Sequence, residues 1–323
     1  MALTYNITPA AFGWLGQAFA DKNLISPFLA FEKNKGDFDE EGKAALVSQG
    51  IITDDGTVRP EAAAAFGVLA NAEGFYRIQI LGVESPVDKV TYYKGNATCS
   101  VDSSDGYFVV SFPAVSREAG FTMEEFTGSS RLIDVPFHES LSYNAALAFL
   151  SLLDLRRAAN LCAMAGETRS AVFSADEIAD RINKDQSLMW FVNSLKKLID
   201  VDHLSAADVS GAIPELKGKG MIAENGNGFS LTGEAEELAD FFLIPEYVFD
   251  IEYGKMISPS ACEHSECRVI FCGMHRLLYI DTDGDKIVIE TMSGSELFEI
   301  IWDALGNNIG KSSIPSPRLN VSR

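Results

Sequence analysis

At 323 residues the chain is too long for one ordinary core and suits two domains. Its 47% hydrophobic and 22% charged residues are the composition of a folded globular protein. The net charge of −20 argues against nucleic acid as a partner, because phosphate binding rests on Lys and Arg and no basic run is present.

The first residues lack a basic start followed by an apolar run, so a secretory signal is not expected. The longest apolar stretch, Ala145 to Leu153, is soon interrupted by Asp154, Arg156 and Arg157, far short of the roughly 20 residues a membrane span needs. Five cysteines, an odd number and mostly beside apolar residues, suit reduced thiols. The expected location is the cytoplasm, with no membrane partner.

Thr8 or Thr4 is placed to cap a first helix over Ala10 to Phe19, which Pro27 follows as a break. A second helix is expected over Asp37 to Gln49, ended by Gly50 as a left-handed cap. Ile51-Ile52, the turn Asp54-Asp55-Gly56 and Val58 predict a small hairpin, and Pro60-Glu61 opens a helix to about Asn71. Four strands follow, Phe75–Leu81, Val90–Lys94, Ala97–Val101 and Tyr107–Phe112, then a helix over Glu118–Phe126. Long helices are expected over Ser140–Ala165, Ala175–Asn183 and Ser187–Ile199.

The order then repeats. A helix over Ala206–Lys217 ends near Gly220, and Met221-Ile222 and Phe229–Leu231 flank a Gly-Asn-Gly turn before a helix over 234–243. Strands are expected at Val248–Tyr253, Arg268–Cys272, Arg276–Asp281 and Lys286–Thr291, with a closing helix over Ser295–Leu305 and an extended tail beyond Gly306. Four glycines keep step: Gly50 with Gly220 and Gly56 with Gly226 share one offset, Gly95 with Gly273 and Gly106 with Gly284 another. Phe75-Tyr76-Arg77-Ile78 aligns with Val248-Phe249-Asp250-Ile251. Strands joined by tight turns make an antiparallel meander, so the expected fold is α+β. Two duplicated lobes, 1–135 and 136–323, are expected about a pseudo-twofold. Each holds helices with a winged-helix-like hairpin, a β-meander and a closing helix.

No motif that carries chemistry survives inspection. The winged-helix pattern would suit a transcription regulator, but a DNA-reading helix needs Arg, Lys, Asn or Gln on its exposed face. The helices in question offer Asp208, Glu215, Lys217 and Lys219 in one copy and Asp39, Glu40, Glu41 and Lys43 in the other. Cys262, His264, Cys267, Cys272 and His275 invite a zinc reading. Cys267 and Cys272, however, lie five positions apart on one expected strand, an odd offset that points them to opposite faces. Asp281-Thr282-Asp283-Gly284-Asp285 resembles the start of a calcium loop, but Lys286 and Met292 stand where Gly and Glu are needed, so it reads as a hairpin turn. His138 beside Ser140 and His203 beside Asp202 belong to no nucleophile motif, and no phosphate-binding glycine loop follows a strand. No catalytic, cofactor-binding or metal-binding residue is assigned, and no enzyme activity is expected.

The element order Leu46–Gly56, Pro60-Glu61 with its helix, and Phe75 to Phe112, recurring over Leu216–Thr291, resembles that of the EspG-type chaperones of type VII (ESX) secretion. That resemblance implies two related α+β subdomains about a pseudo-twofold axis, no catalytic residues, and the binding of secretion substrates in the cytosol. The expected function is therefore a cytoplasmic protein-binding module, a chaperone-like or adaptor protein. A winged-helix regulator is the second reading and an enzyme of unknown type the third. The partner is expected to touch the 254–267 loop, longer than its counterpart 82–89, and the groove beside it.

Overall fold

The computed structural model describes residues 3–34, 40–82, 87–104, 106–114, 118–184, 187, 190–201 and 203–307. The chain opens with β1 (Leu3–Ile7), α1 (Pro9–Ala18) and a 3-10 helix (Pro27–Asn34), then α2 (Glu40–Ser48) and α3 (Pro60–Ala70). Strands β2 (Gly74–Leu81), β3 (Val87–Lys94), β4 (Ala97–Ser104) and β5 (Tyr107–Phe112) lead to α4 (Glu118–Thr127). The second half begins with β6 (His138–Ser142) and α5 (Tyr143–Met164), followed by α6 (Ala175–Asn183), α7 (Phe191–Ile199) and α8 (Ala206–Gly218). The hairpin β7 (Ile222–Asn225) and β8 (Gly228–Leu231) precedes α9 (Glu234–Phe241). The chain then runs through β9 (Tyr247–Ser258), β10 (Ala261–Phe271), β11 (Leu277–Asp283), β12 (Lys286–Met292) and α10 (Gly294–Asn307).

One ten-stranded antiparallel sheet carries both halves, in the order β1-β5-β4-β3-β2-β9-β10-β11-β12-β6. Read outward from its centre, each half has the same succession, a four-strand meander closed by the strand that begins that half. The halves meet where β2 pairs with β9, and Ile78 faces Ile251 there, the two residues that the sequence alignment makes equivalent. Gly50, Gly220, Gly56, Gly226, Gly95, Gly273, Gly106 and Gly284 all have positive φ, which explains why glycine recurs at these turns.

The structure corrects several expectations. β1 and β6 were not anticipated: the helix expected from Ser140 starts at Tyr143, because His138–Ser142 pairs with β12. The helix expected from Ser187 starts at Phe191. The first small hairpin is only one bridge, Ile52 to Val58. Gly106 and Gly284 are offset by one turn position, since the ladders close at Ser104–Tyr107 and at Asp283–Lys286. Asp37, Phe38, Asp39 and the tail after 307 lie outside the described residues. Thr8 does cap α1, its hydroxyl accepting from the Ala11 amide at 3.2 Å.

Strand alternation sorts the side chains onto two faces. One face bears α1, α2 and α3 over the first half and α5 to α9 over the second, each layer closing its own apolar core. The other face is covered by α4 and α10. There Tyr76, Ile78 and Ile80 join Phe249, Val269 and Tyr279 beneath Met123 and Leu297 in a core drawn from both halves. The sheet edges are blunted by side chains: Gln49 donates to the Asn6 carbonyl at 2.8 Å, and Glu215 accepts from the Ser142 amide at 3.0 Å.

Candidate protein-binding groove

Among the described residues the two helical layers close separate cores, one over each half. Between them the sheet shows a charged seam, made by the face of β2, β3, β9 and β10 that alternation turns toward the helices. Arg77 donates to both carboxylate oxygens of Asp88, at 2.7 and 2.8 Å, and to Glu252 at 3.2 Å. Burial pushes the Asp88 carboxyl up, but its hydrogen bonds and the charge of Arg77 outweigh this and hold it below the usual range. Arg268 reaches Asp250 at 3.0 Å and Glu266 at 2.8 Å. At Asp250 burial prevails over that attraction, with Glu266 and Glu252 adding repulsion, and its carboxyl is pushed up to about 6.

Beside this seam, on the first half, lies a groove of about 540 Å³. Its floor is Phe75, Val90, Val101 and Phe108, one residue from each of four adjacent strands. One wall is the segment Leu24 to Ala30, and the other is formed by Glu252, Cys262 and His264. Leu24 is 53% exposed although it is a leucine, and Ser26 is buried with no hydrogen-bond partner for its hydroxyl. A volume of this size with an apolar floor and charged groups at its side is that of a binding site.

The expected 254–267 loop is instead a strand pair. β9 continues to Ser258 and β10 starts at Ala261, so only Pro259-Ser260 turns. Gly254 lies in the strand under the Phe75 ring, which a Cβ there would strike. Residues 248–255 pair with β2, which leaves the tip from Ile257 standing beyond the sheet, with Ile257 65% exposed.

Of the residues weighed for metal, Cys267 lies on the face covered by α10 and Cys272 in the core under α5, opposite sides as strand parity requires. Burial raises both thiols, Cys272 to about 12, which keeps them protonated. Cys262 and His264 line the groove, with His264 Nε2 3.7 Å from Glu252. His138 contacts Glu290 at 2.7 Å at the sheet edge, and Asp281 accepts from the Tyr279 hydroxyl at 2.7 Å within β11. In the second wing Glu224 pairs with Lys217 at 2.6 Å, so a carboxylate takes up a cation of the helix before it.

No family model matches the chain, and no curated protein does. Among solved structures, it is similar to the Mycobacterium tuberculosis type VII secretion system chaperone EspG5, determined in complex with a PE25-PPE41 dimer. Identity is 12%, the match covers 97% of this chain and 98% of that one, and the TM-score is 0.48. The likeness is one of structure alone. No described helix is long and apolar enough to cross a membrane.

Proposed function

We propose that the chain is a duplicated protein of two lobes, 1–135 and 136–323, that acts in the cytoplasm by binding another protein, as a chaperone or adaptor and without catalysis. The observation that carries this reading is the groove of about 540 Å³ between the 24–30 segment and the β9–β10 hairpin. Leu24, 53% exposed, carries the apolar surface up the wall of the groove. A groove with an apolar floor and apolar residues running onto its rim suits a macromolecular partner, whose contact surface exceeds a small ligand's. The five free thiols suit a reducing compartment.

The loop reading of 254–267 suggests cutting the whole segment, but residues 254 and 255 pair with Phe75 and Gly74, so that cut would damage the sheet. The test replaces only Ile257–Ala261 by Asn-Gly. Affinity capture from the native cell extract, read by mass spectrometry, is expected to enrich a defined partner with the wild type. That partner should be lost with the shortened hairpin and with Ala30→Trp at the groove rim. Identical capture by all three proteins, or none by any, would overturn the reading.

A further inference from the structure

The second lobe shows what covers this face of the sheet. Followed through the ladders from the Ile78–Ile251 pair, Phe75, Val90, Val101 and Phe108 take the positions of Val248, Arg268, Ile280 and Ile287. Those four are 0%, 4%, 0% and 0% exposed. The chain between α5 and α8 builds α6 and α7, and α7 lies over β10, its Ser194 carbonyl accepting from Arg268 at 3.2 Å. Phe191, Val192 and Leu195 of α7 are fully buried in the core there. Between α1 and α2 the described residues of the first lobe form only the 3-10 helix, and the equivalent strands floor the groove.

We infer that the first-lobe groove receives a basic amphipathic helix of a partner protein, seated as α7 is seated in the second lobe. The inference rests on the protein-binding reading above. Helix-in-groove docking places apolar anchors at helical spacing, and Phe191, Val192 and Leu195 show that spacing against the matching strands. The charge follows from the seam. Asp88 and Glu252 share one guanidinium, Arg77, so with the neighbouring His264 neutral the groove lining holds one carboxylate in excess, on a chain of net charge −20. The Ser26 hydroxyl, buried at the groove wall without a partner, offers a further contact for a polar group on the incoming helix.

The probe is a fluorescein-labelled peptide with the sequence of residues 190–201, which carries those anchors followed by Lys196 and Lys197. Saturable anisotropy is expected with the full-length protein. Ala30→Trp, at an exposed rim position, and Glu252→Lys should each weaken it at least about tenfold, with thermal melts confirming that both variants fold. A scrambled peptide should not bind, and a photo-reactive version should crosslink within 75–108. Crosslinking within 268–287, the strands beneath α7 and outside the groove wall, would mean the peptide merely displaces α7, and would overturn the inference. So would binding unchanged by both variants, or no saturable binding. Groove-dependent self-association in ultracentrifugation, abolished by Ala30→Trp, would overturn it in favour of a second copy. If the peptide fails while hairpin-dependent capture persists, the helix inference falls and the protein-binding reading stands.

Discussion

The first and second halves of this molecule share a frame and differ in how they finish it. Both run strand, helix, helix, turn, helix, meander and closing helix, with positive-φ glycines at matching turns. The second half adds to it: α5 has 22 residues where α1 has 10, and α6 and α7 follow. The same strand positions are thereby buried in one half and left as a groove floor in the other. The difference teaches that a sheet of two similarly ordered halves can cover one half with its own helices and leave a groove over the other.

Breaking the seal of the second half should have the largest effect on stability. Asp154, fully buried, accepts from the Phe191 and Val192 amides at 3.1 and 3.0 Å and from Arg157 at 2.6 Å, so it caps α7 and pairs a buried guanidinium. Arg157 also lies 3.9 Å over the Phe191 ring. Asp154→Ala removes the cap and leaves Arg157 without its buried counter-charge, which should cost about 3–5 kcal/mol in denaturant unfolding. A cost below about 1 kcal/mol would mean that α7 is held by other contacts.

Between about pH 4 and 6 the pH dependence that the seam gives to stability should come from the second half, because Asp88 in the first half is held below the usual carboxylate range. Asp250, raised to about 6 by burial, holds its proton more tightly folded than unfolded. The stability this gives is therefore complete below the unfolded carboxylate range near about 4 and is lost as pH rises through about 6. Asp250→Asn should remove a decline of order 1–3 kcal/mol across that window, read by urea titrations at several pH values. Arg77 occupies the equivalent position in the first half and stays charged throughout, its guanidinium held by Asp88. An unchanged pH profile in Asp250→Asn would show that the seam titrates elsewhere.

Smaller effects test the likeness of the halves. Gly50 and Gly220 have φ of 68° and 71°, and nothing lies closer than 4.0 Å to a Cβ built at either. Gly50→Val and Gly220→Val should each cost roughly 1–2 kcal/mol, from backbone strain alone. Costs that differ several-fold between the two would show that these turns are not equivalent.

Much of the frame was legible in the sequence because turn glycines and strand alternation are local signals. Helix α3 followed from Pro60 at its first turn, and the opposite faces of Cys267 and Cys272 from parity alone. What was not legible depends on distant partners. β1 and β6 are five-residue edge strands that exist only because β5 and β12 lie beside them. The 254–267 segment reads as a loop in the sequence because what makes it a strand, its pairing with β2 and the Phe75 ring that requires Gly254, lies far away in sequence. A groove beside 254–267 was expected, but its floor was not legible for the same reason: it comes from four strands of the first half, left open where the second half has α6 and α7. The one usable signal was the contrast between the short stretch separating α1 from α2 and the helix-bearing stretch separating α5 from α8.

Thiol labelling at two equivalent positions tests most directly whether one half is sealed and the other open. Phe108→Cys and Ile287→Cys, each in a background with the five native cysteines replaced by alanine, would be treated with a bulky maleimide under native conditions. Phe108 is half-buried at the groove floor, whereas Ile287 is 0% exposed beneath the second helical layer. The Phe108→Cys protein should label at a rate independent of added denaturant well below the unfolding transition. The Ile287→Cys protein should label only through opening, at a rate that rises with denaturant. Equal labelling rates at the two positions would contradict the account.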